Sequence, residues 1–216
     1  MKSEPEYISV NRIAYDRLAP EYRARAEADR IRDQKLVAPF ATYLLDRFGA
    51  TARILDIGPG NGINLAMFAE YGFTVNGIDI SKRMLNLARR FAPTADLRYG
   101  NFLVAEYPEG SFEGVFAKAS IHLFPKKDAE LAIRKVAHLL VRSGIFYVTT
   151  TLGQRSREGF AQKDDYAGET VRYRKIWTPS ELRSIVEAAG FRIWKESVND
   201  EPERNKRWFN IWAIKS

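Results

Sequence analysis

The sequence contains no cysteine, only two histidines and only three methionines among its 216 residues. The first absence excludes disulfides, thiolate metal sites and every reaction that begins with a thiol nucleophile. The second leaves few side chains able to move a proton near neutral pH. No apolar run approaches the roughly 18 residues of a spanning helix, and the opening Met1-Lys2-Ser3-Glu4-Pro5-Glu6 lacks the apolar centre of a signal peptide. A cytoplasmic protein with no membrane attachment is expected. Internal repeats, low-complexity tracts and Pro/Gly/Ser-rich linkers are missing too, so a single domain over 1–216 is expected.

What is present is a globular balance, 45% hydrophobic and 28% charged residues. A net charge of +7 raises nucleic acid as a partner. The distribution argues against it. The excess of Lys and Arg over Asp and Glu is +1 over residues 1–50, +3 over 51–150 and +3 over 151–216. Tight basic groups such as Lys126-Lys127 and Arg204-Lys206-Arg207 are short, and neither makes the long stripe that a phosphate backbone needs.

Residues 1–50 read as a helical cap, broken at Pro20 and Pro39 into 11–18, 21–37 and 40–48. A core over 51–151 follows with βαβ alternation. Arg53–Ile57 is a strand that stops at Gly58-Pro59-Gly60-Asn61-Gly62, and helix 63–71 follows directly. Residues 73–79 form a second strand, and Ser81 caps helix 82–91. Short strands at 97–99, 114–117 and 145–149 complete the series, with a helix at about 128–140 between the last two. Alternation of this kind gives a doubly wound, mostly parallel α/β sheet. Residues 152–179 read as a polar loop or lid, too long for an ordinary connection. In 180–216 a helix at 180–189 precedes two β-rich runs, 191–197 and 208–214, which fit an antiparallel hairpin closing one sheet edge.

Glycines between a strand and a helix N-terminus remove the Cβ atoms that would hold a ligand off the backbone. Their positions here, 58, 60 and 62 with Ile63 after them, depart from the dinucleotide fingerprint G-x-G-x-x-G, and no Gly-Lys-Ser/Thr follows to make a P-loop. Asp56, two residues before the first glycine, would repel a pyrophosphate but attract an ammonium or sulfonium. Asp79, at the end of the second strand, is placed to accept from two ribose hydroxyls. Together they describe an adenosine with a positively charged tail.

These residues, Ile54-Leu55-Asp56-Ile57-Gly58-Pro59-Gly60-Asn61-Gly62 with Gly77-Ile78-Asp79-Ile80-Ser81 and Met84-Leu85, resemble the class I S-adenosylmethionine-dependent methyltransferases. Tyr15-Asp16-Arg17-Leu18-Ala19-Pro20-Glu21-Tyr22 is similar to that family's N-terminal helix. Trp177-Thr178-Pro179-Ser180-Glu181-Leu182 and Ala189-Gly190-Phe191 are similar to its late helix. The resemblance implies a Rossmann-like sheet of seven strands and S-adenosyl-L-methionine as cofactor. It further implies that Asp56, Gly58 and Gly60 hold the methionine end and Asp79 the ribose. Ile80 and Met84 would lie against adenine, and Asn101 and Phe102 would flank it. Tyr15 and Tyr22 would cap the cofactor, and Lys118 at the end of the fourth strand is counted with this set. Asn101 departs from the family's more frequent Asp.

The implied reaction is in-line displacement at a methyl carbon, which needs alignment and exclusion of water more than covalent machinery. His122, in the loop after the fourth strand, is the candidate base, whereas His138 lies on a helix and reads as structural. Asp164-Asp165 is an isolated pair, so no metal is expected. Phe160, Tyr166, Tyr173 and Trp177 suggest a small organic acceptor, taken at oxygen or nitrogen by a monomer or homodimer. Arg155, Arg157, Lys163, Arg172 and Arg174 suggest that the acceptor carries an acidic group. An RNA methyltransferase is the nearest rival. Against it, Lys118-Ala119-Ser120-Ile121 stands where amino-base methylation would place an Asp/Asn-Pro-Pro-aromatic motif. A non-catalytic cofactor-binding subunit is the rival from another class.

Overall fold

A computed structural model describes residues 4–163, 170–204 and 206–216. Two long helices, α1 (Glu6–Ala24) and α2 (Ala26–Phe48), lead into β1 (Arg53–Ile57), α3 (Ile63–Glu70), β2 (Thr74–Asp79), α4 (Lys82–Phe91) and β3 (Asp96–Tyr99). Then come β4 (Phe112–Lys118), a single 3-10 turn (Ile121–Leu123), α5 (Lys126–Leu139) and β5 (Leu140–Thr151). The chain finishes with β6 (Arg157–Gln162), β7 (Val171–Ile176), α6 (Pro179–Ala188), β8 (Phe191–Glu201) and β9 (Lys206–Lys215).

Seven strands form one sheet in the order β3-β2-β1-β4-β5-β9-β8. The first five are parallel, β9 runs antiparallel to β5, and β8 runs antiparallel to β9 at the edge. The doubly wound sheet with an antiparallel C-terminal hairpin is therefore as the sequence predicts. Side chains on a strand alternate between faces, and the two cores follow that period. Leu55, Ile57, Val115, Ala117, Phe146 and Val148 face a core completed by Ala129, Ile133 and Val136 of α5 and by Leu182 and Val186 of α6. Ile54, Phe116, Ile145 and Tyr147 face the opposite core, with Phe40 and Leu44 of α2 and Leu65 and Phe68 of α3. Both faces being covered is what makes these strands near-continuously apolar.

Two expectations need correction. Pro20 and Pro39 do not break the cap, because both lie inside continuous helices and the break falls at Arg25. A proline removes one helical hydrogen bond, which is tolerable when another donor serves the carbonyl four residues earlier. That carbonyl for Pro20 belongs to Asp16, and it accepts from Arg83 Nη1 at 3.4 Å. The carbonyl that Pro39 frees belongs to Lys35, an exposed residue. The second correction concerns the polar loop: β6 and β7 pair antiparallel from Arg157–Ile176 to Gln162–Val171 as a separate two-stranded sheet. The alternation is hidden because two of the buried β7 positions are the charged Arg172 and Lys175. Lys175 Nζ is satisfied by Ser156 Oγ at 2.6 Å and by Glu181 at 3.2 Å, over the ring of Trp177.

The strand order reverses direction between β1 and β4. Open α/β sheets leave a crevice at such a point, beyond the carboxyl ends of the strands. The loops after β1 and β4 meet there so closely that a Cβ on Gly58 would stand 3.0 Å from the Ser120 Cβ.

Candidate active site

A cavity of about 340 Å³ opens at this crevice, within the size range of small-ligand pockets. The glycine loop forms its floor. Gly58 N–H donates to the Ile78 carbonyl at 2.8 Å and Gly62 N–H to the Pro59 carbonyl at 2.9 Å, a turn that carries β1 straight into α3. Gly62 has φ +81°, and a Cβ on it would lie 2.5 Å from the Ala88 Cα of α4, so this glycine is required by packing. Gly60, at φ +57°, faces open space except for the Tyr22 ring, 3.9 Å from where its Cβ would stand. Asn61 locks the loop to the cap: its Nδ2 donates to the Tyr22 carbonyl at 3.1 Å and to Asp29 Oδ2 at 3.2 Å, while its Oδ1 accepts from Ile63 N–H at 3.2 Å.

Asp56, near the end of β1 toward the loop, is 1% exposed, and neither of its carboxylate oxygens has a hydrogen-bond partner among the described residues. Burial pushes its pKa up to about 8; Lys118 opposes the shift, and Asp79 and Asp33 add to it. An unpartnered buried carboxylate costs several kcal/mol, and the cavity it lines gives a cationic group direct access to it. Asp79 ends β2 across the floor. Its Oδ1 accepts from Ser81 N–H at 2.8 Å. Burial raises its pKa to about 7, against the lowering effect of backbone N–H groups of Ser81, Gly60 and Ile80.

The cap supplies the roof. Tyr15 and Tyr22 of α1 meet edge to face with ring centroids 6.0 Å apart, and both line the cavity with Ile80, Asn101, Phe102 and Lys118. Asn101 is held as a turn former, its Oδ1 accepting from Leu103 N–H at 3.0 Å. Lys118 Nζ is ion-paired with the fully buried Asp33 of α2, which also accepts from Arg32 Nε at 3.1 Å. Of the residues expected at the cofactor, Met84 alone lies outside the cavity wall. It is buried against Leu18, Ala19 and Leu87, where α1 covers α4, and its N–H donates to Ser81 Oγ at 3.1 Å. The helix that brings Tyr15 and Tyr22 to the cavity is the one that shuts Met84 away.

His122 sits in the 3-10 turn after β4, buried, with its Nε2 3.5 Å from Arg172 Nη1 and its ring 6.0 Å from that of Trp208. Burial, then Arg172, Arg174, Lys163 and Lys206 in that order, hold its pKa well below 6.5, so the ring is neutral at pH 7. Asp164, Asp165 and Tyr166 lie outside the described residues. Phe160 is half exposed, and its ring meets Tyr173 at 5.4 Å, whereas Trp177 is core.

Residues 54–144 match a family model described as a methyltransferase domain. Over that stretch the chain is similar to a methyltransferase domain. The ubiquinone biosynthesis O-methyltransferase of Xanthomonas euvesicatoria is 29% identical over 174 residues, 73% of this chain and 70% of that protein. Nocamycin O-methyltransferase of Saccharothrix syringae is 34% identical over 142 residues, 61% of this chain and 48% of that one. The chain spans about half the length of the first curated relatives it matches. Among solved structures, a 1,6-didemethyltoxoflavin-N1-methyltransferase of Burkholderia thailandensis, with 1,6-didemethyltoxoflavin and S-adenosylhomocysteine bound, superposes with a TM-score of 0.74. It covers 100% of this chain and 92% of its own at 20% identity, a likeness of fold.

The site also uses residues that sequence reasoning passed over. Asn11 is buried in α1, with Nδ2 donating to the Leu123 carbonyl at 3.0 Å and Oδ1 accepting from Tyr173 N–H at 2.8 Å, so one side chain ties the cap to the His122 turn and to β7. Its signal was an amide on the apolar face of an amphipathic helix. Glu201 gathers Trp208 Nε1 at 2.8 Å, Arg204 Nη1 at 2.9 Å and Arg32 Nη1 at 3.4 Å on the far wall. Nothing local in the sequence marks that cluster, since its members come from α2, β8, β9 and the turn between the last two strands.

Proposed function

We propose that the protein transfers a methyl group from S-adenosyl-L-methionine to an oxygen or nitrogen of a small organic molecule. The observation that carries this reading is Asp56, a buried carboxylate with both oxygens unpartnered among the described residues, beside a glycine loop at the reversal point of the sheet. That is the donor set an ammonium-bearing, sulfonium-bearing adenosyl ligand requires. Asp56 with Gly58 and Gly60 would hold its amino-acid end and Asp79 its ribose. Ile80, Asn101 and Phe102 would surround the adenine, and Tyr15 and Tyr22 would exclude water from above. When bound, that ligand would supply an electrophilic methyl group to an oxygen or nitrogen lone pair. The protein's own part is alignment and desolvation, with His122 as the catalytic residue beside the acceptor. The relatives are named for small molecules, nocamycin, ubiquinone and 1,6-didemethyltoxoflavin, which supports an acceptor of that class.

Calorimetric titration with S-adenosylhomocysteine tests the cofactor half, and absence of binding would end the proposal. A screen of metabolites with methyl-labelled cofactor tests the transfer. With an acceptor in hand, His122→Ala is expected to lower turnover by about 10²-fold with cofactor affinity unchanged. An RNA acceptor would show turnover collapsing between low and moderate salt, whereas a small acceptor is expected to be nearly indifferent.

A further inference from the structure

A guanidinium has N–H donors and no lone pair. Arg172 Nη1, 3.5 Å from His122 Nε2, therefore favours the tautomer in which Nε2 carries the lone pair and Nδ1 the proton. Nδ1 is buried with no hydrogen-bond partner among the described residues, and His122 lines the cavity. Cations gather around this ring from several elements: Arg172 and Arg174 of β7, Lys163 just after β6 and Lys206 of β9. Arg172 and Lys163 are themselves buried, and all four make further interactions that hold them in place. Arg172 Nη1 also donates to Tyr15 OH at 3.1 Å, fixing the guanidinium between the cap and the histidine. Among the described residues, the Glu201 and Asp200 carboxylates that line this wall bond to Arg204, Arg32, Trp208 and Arg207.

We propose that the methyl acceptor binds as an anion, its charged atom held by Arg172, Lys163 and the Nδ1–H of His122. Its chemical class is then an organic acid, an acidic phenol or an acidic N–H heterocycle whose conjugate base is itself the nucleophile. This rests on the reading of the cavity as a methyl-transfer site and supplies the substrate class that reading leaves open. An anion meeting a sulfonium leaves no proton to remove: the two charges cancel as the bond to carbon forms. His122 then acts as a hydrogen-bond donor that orients the acceptor rather than as a base. A ring whose proton affinity is suppressed by burial and four cations suits that role. Trp208, Tyr7 and Phe124 line the same chamber and give a planar acceptor flat apolar walls.

Two measurements on the intact chain test this. With only two histidines in the sequence, a His138→Gln variant leaves a single ring for nitrogen-15 NMR. The expected spectrum is a neutral Nδ1–H tautomer from pH 5.5 to 8.5. An Nε2–H tautomer, or titration near pH 6.5, overturns the assignment. Calorimetry on the protein saturated with S-adenosylhomocysteine then compares five planar aromatic acids, benzoate among them, with their amides. At least one acid is expected to bind tenfold or more tightly than its amide, with the preference lost in Arg172→Met. If no acid binds better than its amide, the anionic acceptor is refuted. Failure of S-adenosylhomocysteine itself to bind would instead refute the methyl-transfer reading.

Discussion

Replacing Asp56 by Asn separates the charge of this carboxylate from its shape. With its pKa pushed up to about 8, the side chain of the empty protein is mostly protonated at pH 7. Ionising it there costs about 1.4 kcal/mol, roughly a factor of ten in affinity for a ligand that needs the anion. Binding of S-adenosylhomocysteine should therefore strengthen by about tenfold per pH unit between pH 6 and 7.5, where the ligand's ammonium stays charged. It should also release close to one proton at pH 7, measured by calorimetry in buffers of different ionisation enthalpy. Asp79, raised to about 7, titrates in the same window, so the Asp56→Asn variant is needed to assign the effect. It should lose most of the pH dependence and bind at least tenfold more weakly at pH 7.5. The unliganded protein carries the opposite sign. A carboxyl with a raised folded-state pKa favours folding below its unfolded value near 4, and that contribution fades as pH rises through about 8. The melting temperature of the wild type should fall across that range more steeply than that of the Asn variant. A dissociation constant flat from pH 6 to 7.5, or an Asn variant that binds like the wild type, would refute the claim that Asp56 waits for a cation.

Gly60→Ala and Gly62→Ala should diverge. Gly62→Ala meets backbone at 2.5 Å and should lower the melting temperature by several degrees or prevent folding, whereas Gly60→Ala should cost about 1–2 kcal/mol for its positive φ and weaken S-adenosylhomocysteine binding more than stability. Equal stability losses in the two would contradict the division between packing and ligand access. Asp79→Asn should reduce affinity by about tenfold or more for the intact ligand, and binding of adenine alone should be spared if the carboxylate serves the ribose. Asp33→Ala removes the buried partner of the part-exposed Lys118 ammonium and should destabilise the fold by about 1.5–3 kcal/mol in denaturant titration; a loss below 1 kcal/mol would mean that Lys118 finds water.

Local chemistry was enough to read much of this protein from its sequence. The helix α4 begins where Ser81 caps it, with Ser81 Oγ accepting from Met84 N–H at 3.1 Å, and β1 spans Arg53–Ile57 as read. The glycine loop, Asp56 and Asp79 were legible because a strand, a turn and a helix start are contiguous in the chain, and because the sign of a charge two residues from a glycine limits what the loop can hold. The tertiary structure decided the rest. Pro20 and Pro39 punctuate a sequence but not these helices; the donor that serves the Asp16 carbonyl freed by Pro20 comes from α4. β6 and β7 hid behind buried cations whose partners lie on α1 and α6. That Met84 packs under α1, outside the cavity wall, is a relation between two helices that its motif does not carry. Whether His122 offers a lone pair or a proton to its substrate depends on Arg172, fifty residues away, and no pattern within one stretch of chain can state a relation between two.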